Sequence, residues 1–184
     1  THSLQHLRVH GGDAAVLSRF EGLLDTGKMN RAFRALASSY GIDILTGIHV
    51  EAVQPSKIGC NIHMSALNRE ATEVQPQRIL VATNALGAAL IPGLDVEPAV
   101  NHVMVTDPIP GFDFPYAVHM DAGYIYARPI ENRMLIGGGR HWGLDESSTR
   151  SKLLALMHEL WPATQNVPVP HQWSGLLGVG KTRS

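Results

Sequence analysis

Tyr124, Tyr126 and Arg128 alternate with Ile125 and Ala127, so on a strand the two phenols and the guanidinium share one face and the apolar pair the other. Such a stripe can hold a carboxylate or an amine, because the arginine fork matches a carboxylate and a tyrosine offers a directed hydroxyl. It is equally compatible with the solvated face of an antiparallel sheet. Gly137, Gly138 and Gly139 follow the apolar run Met134 to Ile136, which suits a place where a flat ligand or another backbone comes close, or simply a tight turn. They do not make G-x-G-x-x-G, and no helix with an acidic residue about 20 positions on follows.

Gly175, Gly180, Lys181 and Thr182 satisfy G-x-x-x-x-G-K-[ST], the loop that wraps nucleotide phosphates. That chemistry needs a buried strand before the loop and a helix after it. His171, Gln172, Trp173 and Ser174 are poor material for a central strand, and the chain ends two residues after Thr182. Nucleotide binding through Gly175 to Thr182 is therefore the weaker alternative. Ten histidines invite a metal, but Cys60 and His63 point to opposite faces of a strand and the others lack ligand spacing, so no metal site is expected. No G-x-S-x-G elbow supports a serine hydrolase.

The elements that must carry these residues follow from periodicity. Asp25 or Thr26 caps a helix over Lys28 to Tyr40, with Met29, Phe33, Leu36, Ala37 and Tyr40 on one face and Gly41 as the stop. Gly12 to Arg19 reads as a helix or turn. Ile42 to Leu45, Ile48 to Val53, Gly59 to Ala66 and Glu73 to Val74 read as a strand feeding an antiparallel meander. Arg78 to Thr83 is a continuous apolar run ending in small residues, as expected of a strand buried on both faces. Val100 to Thr106, Gly123 to Arg128 and Arg133 to Gly137 form a second sheet with a hairpin at Pro129 to Asn132. A helix from about Ser148 to Trp161 turns Leu153, Leu156, Met157 and Leu160 inward and ends at Pro162.

The expected fold is α+β: a mostly antiparallel sheet with flanking helices, joined to part of a second domain. Composition shifts at Pro92, which divides the chain into a lead-in (1–18), a first segment (19–92), a second domain (93–172) and a closing segment (173–184). Fifteen basic against 16 acidic side chains offer nucleic acid no basic patch. No apolar run approaches the ~20 residues that span a bilayer. A single cysteine, Cys60, excludes an internal disulfide and suits a cytoplasmic setting. The start at Thr1 and the stop in a glycine-rich stretch suggest cuts rather than natural termini.

Three stretches together resemble the family of flavin oxidoreductases that includes D-amino-acid, glycine and sarcosine oxidases. They are Glu21 to Met29 with Tyr40 to Leu45; Arg78-Ile79-Leu80-Val81-Ala82-Thr83-Asn84-Ala85; and Gly123 to Pro129 with Arg133 to Arg140, leading to Trp173-Ser174-Gly175. The resemblance implies that residues 19–92 are a remnant of an FAD-binding domain, 93–172 the substrate domain, and 173–184 a return toward the flavin. It places Val50 at a backbone contact to adenine, sets Ala82, Thr83 and Asn84 against the cofactor, and brings Gly175, Gly178 and Gly180 past the isoalloxazine. It implies hydride removal from a carbon bearing an amine, transfer to flavin N5 and release of an imine, with a small amine or amino acid as substrate.

Two departures stand out. The glycine-rich segment that grips the diphosphate in this family is absent from the chain, so the chain alone is expected to hold no flavin, show no oxidase activity, and act at most as a non-catalytic binding module. Leu177 occupies the position two residues after the Trp-x-Gly glycine, where D-amino-acid and glycine oxidases carry a carboxylate-binding arginine. Arg128 or Arg140, with Tyr124 and Tyr126, then has to take that role, or the substrate is not a free amino acid.

Overall fold

Apolar side chains at Met29, Phe33 and Leu36 recur at helical spacing, and the first helix, α1, forms over Thr26–Ser39. It ends in a paired carbonyl cap: Gly41 N–H donates to Ser38 O (3.0 Å) and Ile42 N–H to Ala37 O (3.1 Å), with Gly41 at φ +71°. The computed structural model describes residues 9–11, 14–66 and 69–180. Its chain divides into two compact units, Thr26–Ala99 with Leu177–Ser184, and Thr1–Asp25 with Val100–Leu176.

In the first unit, β1 (Ile48–Ser56), β2 (Gly59–Ala66) and β3 (Arg69–Val74) make an antiparallel meander in the order β1-β2-β3. A two-residue turn joins Ser56 to Gly59, and a register shift between Val50 and Ala52 bends β1. A 3-10 turn, Asn84–Leu86, then leads into the short helix α2 (Gly87–Leu90), where Ala85 and Gly87 are buried. Two expected strands are absent: Ile42 to Leu45 and Arg78 to Thr83 run without sheet pairing. Leu80 is 89% exposed, so the second is not the buried strand its composition suggested. An apolar run reports the environment a segment prefers, whereas a strand also needs a neighbour for its N–H and C=O groups, and no described strand lies beside these. The face of α1 that reads as apolar likewise holds no buried residue.

A five-stranded sheet is formed by β4 (Val96–Val105), β5 (Val118–Met120), β6 (Ile125–Ile130), β7 (Arg133–Gly138) and β8 (His171–Gly180), in the order β5-β6-β7-β4-β8, and the second unit holds β5 to β7 with residues 100–105 of β4 and 171–176 of β8. The β5–β6, β6–β7 and β7–β4 pairs are antiparallel. Glu131, at φ +55°, and Asn132 form the two-residue hairpin turn between Ile130 and Arg133. Alternation sorts the two faces. Ile125, Ala127, Met134, Ile136 and Met104 pack against Leu153, Met157, Leu160 and Trp161. The latter belong to or follow α3 (Glu146–Leu160), whose N-cap Asp145 accepts from Ser148 N (3.0 Å) and Ser148 Oγ (2.7 Å). Burial of each such side chain contributes roughly 1.5–3 kcal/mol, making this the main core of the unit. Leu156 is only half-buried on the same helix.

One further expectation is corrected. Gly12 lies outside the described residues, and Ala14 to Arg19 forms no helix. His171 to Ser174, poor material for a central strand, lie instead on a strand at the sheet edge, exposed throughout, where backbone pairing suffices and side chains need no apolar neighbours. Gly175 to Gly180 continue that strand, and an extended backbone does not wrap a phosphate; Lys181 and Thr182 lie outside the described residues. Among the described residues no helix is long and apolar enough to cross a membrane.

Candidate functional site

Tyr126 lies in the middle of β6, opposite Gly137 on β7 and His119 on β5. Its phenol covers Gly137 so closely that a Cβ there would stand 2.4 Å from the ring Cζ and Oη. The glycine at that position therefore makes room for the chain's own tyrosine. The His119 ring lies 6.3 Å from the Tyr126 ring, and the Asn101 side chain is close enough to act on the phenol's proton affinity. Asn101 is only 6% exposed, and its Oδ1 finds no partner among the described residues. Burial pushes the phenol above its ordinary value, opposed by the charge of Arg128, the Asn101 side chain and the charge of Arg140. Tyr126 thus remains a protonated donor at neutral pH.

Arg128 follows two positions on along the same face, its Nη1 donating to Leu24 O at 2.7 Å. Tyr124 is not part of that stripe. A turn over Asp121–Gly123 precedes it, and its own backbone is helical, so it stands just before β6 rather than on it. Arg140, two residues past the end of β7, places its guanidinium carbon 4.4 Å from the Tyr124 ring centroid. The structure thus brings Tyr124, Tyr126, Arg128 and Arg140 into one constellation in which Arg140 contacts Tyr124 and both arginines act on Tyr126. Neither arginine forms an ion pair with a carboxylate among the described residues. Arg128 gives one N–H to a backbone carbonyl and Arg140 lies against an aromatic face, and two such cations beside a protonated phenol have the chemistry to bind an anion.

Sequence reasoning missed Asn101, His119, Asp121 and His141 around this constellation. Only the three-residue strand β5, too short to show a period, sets His119 against Tyr126. Among the described residues no three His, Cys, Asp or Glu side chains converge as metal ligands. A cleft of about 530 Å³ lies on the helix side of the sheet, lined by Met104, Glu146, Arg150, Leu154 and Gln172, and holds none of the four residues.

In the first unit, Asn84 and Gly178 meet although 94 residues separate them: Gly178 N–H donates to Asn84 Oδ1 at 2.9 Å. A Cβ on Gly178 would lie 2.5 Å from that oxygen, so the glycine leaves room for the Asn84 side chain. Asn84 opens the 3-10 turn at φ +48°, and Ala82 and Thr83 are exposed beside it in sequence. Val50 is half-buried on β1, opposite Met64. Gly175 and Gly180 are exposed on β8, with open space where a side chain of Gly175 would stand, and Leu177 is exposed there too.

The sequence pattern of the FAD dependent oxidoreductase family matches residues 3–183. The chain belongs to that family. Among solved structures, this FAD-dependent oxidoreductase chain is similar to a glycine oxidase from Geobacillus kaustophilus, with 17% identity, a TM-score of 0.67, and 82% of this chain and 41% of that one covered. It is also similar to an iminodiacetate oxidase from Chelativorans sp. BNC1, with 14% identity, a TM-score of 0.66, and 84% and 43% covered. A third is an L-proline dehydrogenase from P. horikoshii, with 17% identity, a TM-score of 0.63, and 86% and 44% covered. These likenesses establish the fold, and the chain spans about two fifths of each structure's length. No curated protein matches it.

Proposed function

We propose that the chain is the substrate-side part of an FAD-dependent oxidoreductase that oxidises a small amine or amino acid by hydride transfer to the flavin. The observation that carries this reading is the pair of guanidiniums, Arg128 and Arg140, unmatched by carboxylates among the described residues and grouped with Tyr124 and Tyr126, in a chain of a flavin-dependent family. A substrate carboxylate buried without a cation would be strongly disfavoured, and Leu177 offers none, so these arginines take the charge. In this reading residues 93–172 are the substrate domain, and 19–92 with 173–184 are the flavin side.

FAD, when bound, supplies the electron acceptor, and the protein's share is orientation and charge. Val50, Ala82, Thr83, Asn84, Gly175, Gly178 and Gly180 are the residues that would hold it. The exposed backbone around Thr83 and the open space at Gly175 suit close approach of a flat group. Cys60 as the single cysteine supports a cytoplasmic setting.

The test is steady-state kinetics on the FAD-loaded enzyme that contains this chain. Arg128→Ala and Arg140→Ala are each expected to raise KM for an anionic amine by roughly tenfold to a hundredfold, with little change for a neutral amine. Unchanged constants in both variants would overturn the carboxylate reading and point to a different amine.

A further inference from the structure

Arg140 and His141 sit on one turn and Asp121 on another, and a side-chain hydrogen bond joins the two. His141 Nε2 lies 2.7 Å from Asp121 Oδ2, across 20 residues of chain. With its proton on Nε2 the imidazole donates to the carboxylate. Both turns are conformationally demanding. Asp121, Ala122 and Gly123 lie consecutively at φ +51°, +51° and +84°, a backbone that non-glycine residues adopt only when their surroundings impose it. Tyr124 N–H closes that turn onto Asp121 O at 2.9 Å.

On the other side, Gly139 stands at φ +85°, with no room for a Cβ against Thr149 and Trp142. Trp142 N–H donates back to Gly139 O at 3.1 Å, and Lys152 Nζ caps the indole at 4.2 Å. The Tyr124 ring receives both partners of this second turn, the His141 ring at 4.2 Å and the Arg140 guanidinium at 4.4 Å.

We infer that Asp121 and His141 are positioning residues which tie the two turns together and thereby hold Arg140 and Tyr124 in the geometry that receives the substrate's anionic group. The inference rests on the carboxylate-binding role proposed above for Arg140. A pair this exposed contributes little to stability, so its effect falls on the placement of the fork, where a shift of about 1 Å weakens binding markedly.

In the FAD-loaded enzyme, His141→Ala and Asp121→Ala are each expected to raise KM for an anionic amine by roughly five- to twentyfold, with kcat within about twofold and KM for a neutral amine unchanged. The double variant should do no worse than either single one, because each already breaks the same tie. His141→Gln, which keeps an N–H donor, should recover most of the loss. Calorimetric affinity for benzoate, a carboxylate that is not oxidised, should fall by the same factor in both alanine variants. Unchanged KM and benzoate affinity in His141→Ala, with a raised KM in Arg140→Ala, would overturn the positioning role alone. An equal loss for neutral and anionic amines would overturn it too, because the pair would then be merely structural. Unchanged constants in Arg140→Ala would remove the site reading and this inference with it.

Discussion

The Tyr126 phenol, stacked over a glycine and flanked by Arg128 and Asn101, carries two consequences at the residue scale. Its folded-state proton affinity is raised, so the native chain holds that proton more tightly than the unfolded one. The associated stability is fully present below the unfolded value of about 10 and is lost as pH rises through the higher folded value. Denaturant midpoints at about pH 8 and about pH 11 should therefore fall apart in the native chain and draw closer in Tyr126→Phe. A tyrosinate absorbance titration should show a late-ionising component that is lost in Tyr126→Phe. Gly137→Ala drives a methyl into the ring and is expected to cost about 1–3 kcal/mol in equilibrium unfolding. That cost should shrink in a Tyr126→Ala background, since the two positions are in contact.

At the scale of elements, α3 and the β6–β7 hairpin each depend on one terminal residue. Asp145 accepts from the Ser148 backbone and hydroxyl, which hold its carboxyl below the usual range. Its stabilisation is thus present above the unfolded value and lost as pH falls through the lower folded one. Thermal unfolding should show Asp145→Ala melting lower than the native chain at neutral pH, with the gap closing in acid; a gap that persists in acid would argue against the cap. In the hairpin, positive φ at Glu131 and not at Asn132 matches the turn whose first central residue is normally glycine. Glu131→Gly should stabilise the chain by about 1 kcal/mol, read from the denaturant midpoint at constant m.

For the whole molecule, the family match over residues 3–183 and the coverage of about two fifths of each solved relative define what this chain can contribute. Its sequence has no G-x-G-x-x-G to seat a diphosphate at a helix start. The isolated chain is therefore expected to purify colourless and to show no saturable FAD binding by fluorescence quenching. Tight, stoichiometric FAD uptake by the chain alone would overturn that expectation.

What the sequence determined by itself is the part written in local periods and stop signals. Helix spacing with Gly41 set α1, branched alternation set the β1–β3 meander, and the Ser148-to-Pro162 pattern set α3, whose start and Asp145 cap the structure supplied. The family resemblance, carried by Arg78 to Ala85 and Gly123 to Arg140, belongs with these, because motif order survives without coordinates. Tertiary structure decided whatever needs a neighbour distant along the chain. It left Arg78 to Thr83 unpaired, made His171 to Gly180 an edge strand, and moved Tyr124 off the β6 stripe into the grip of Arg140 and His141. Asn84 with Gly178 and Asp121 with His141 are contacts of the same kind. Side-chain type states which partners a group accepts; only the folded backbone, by closing loops of 20 and 94 residues, decides which of them it meets.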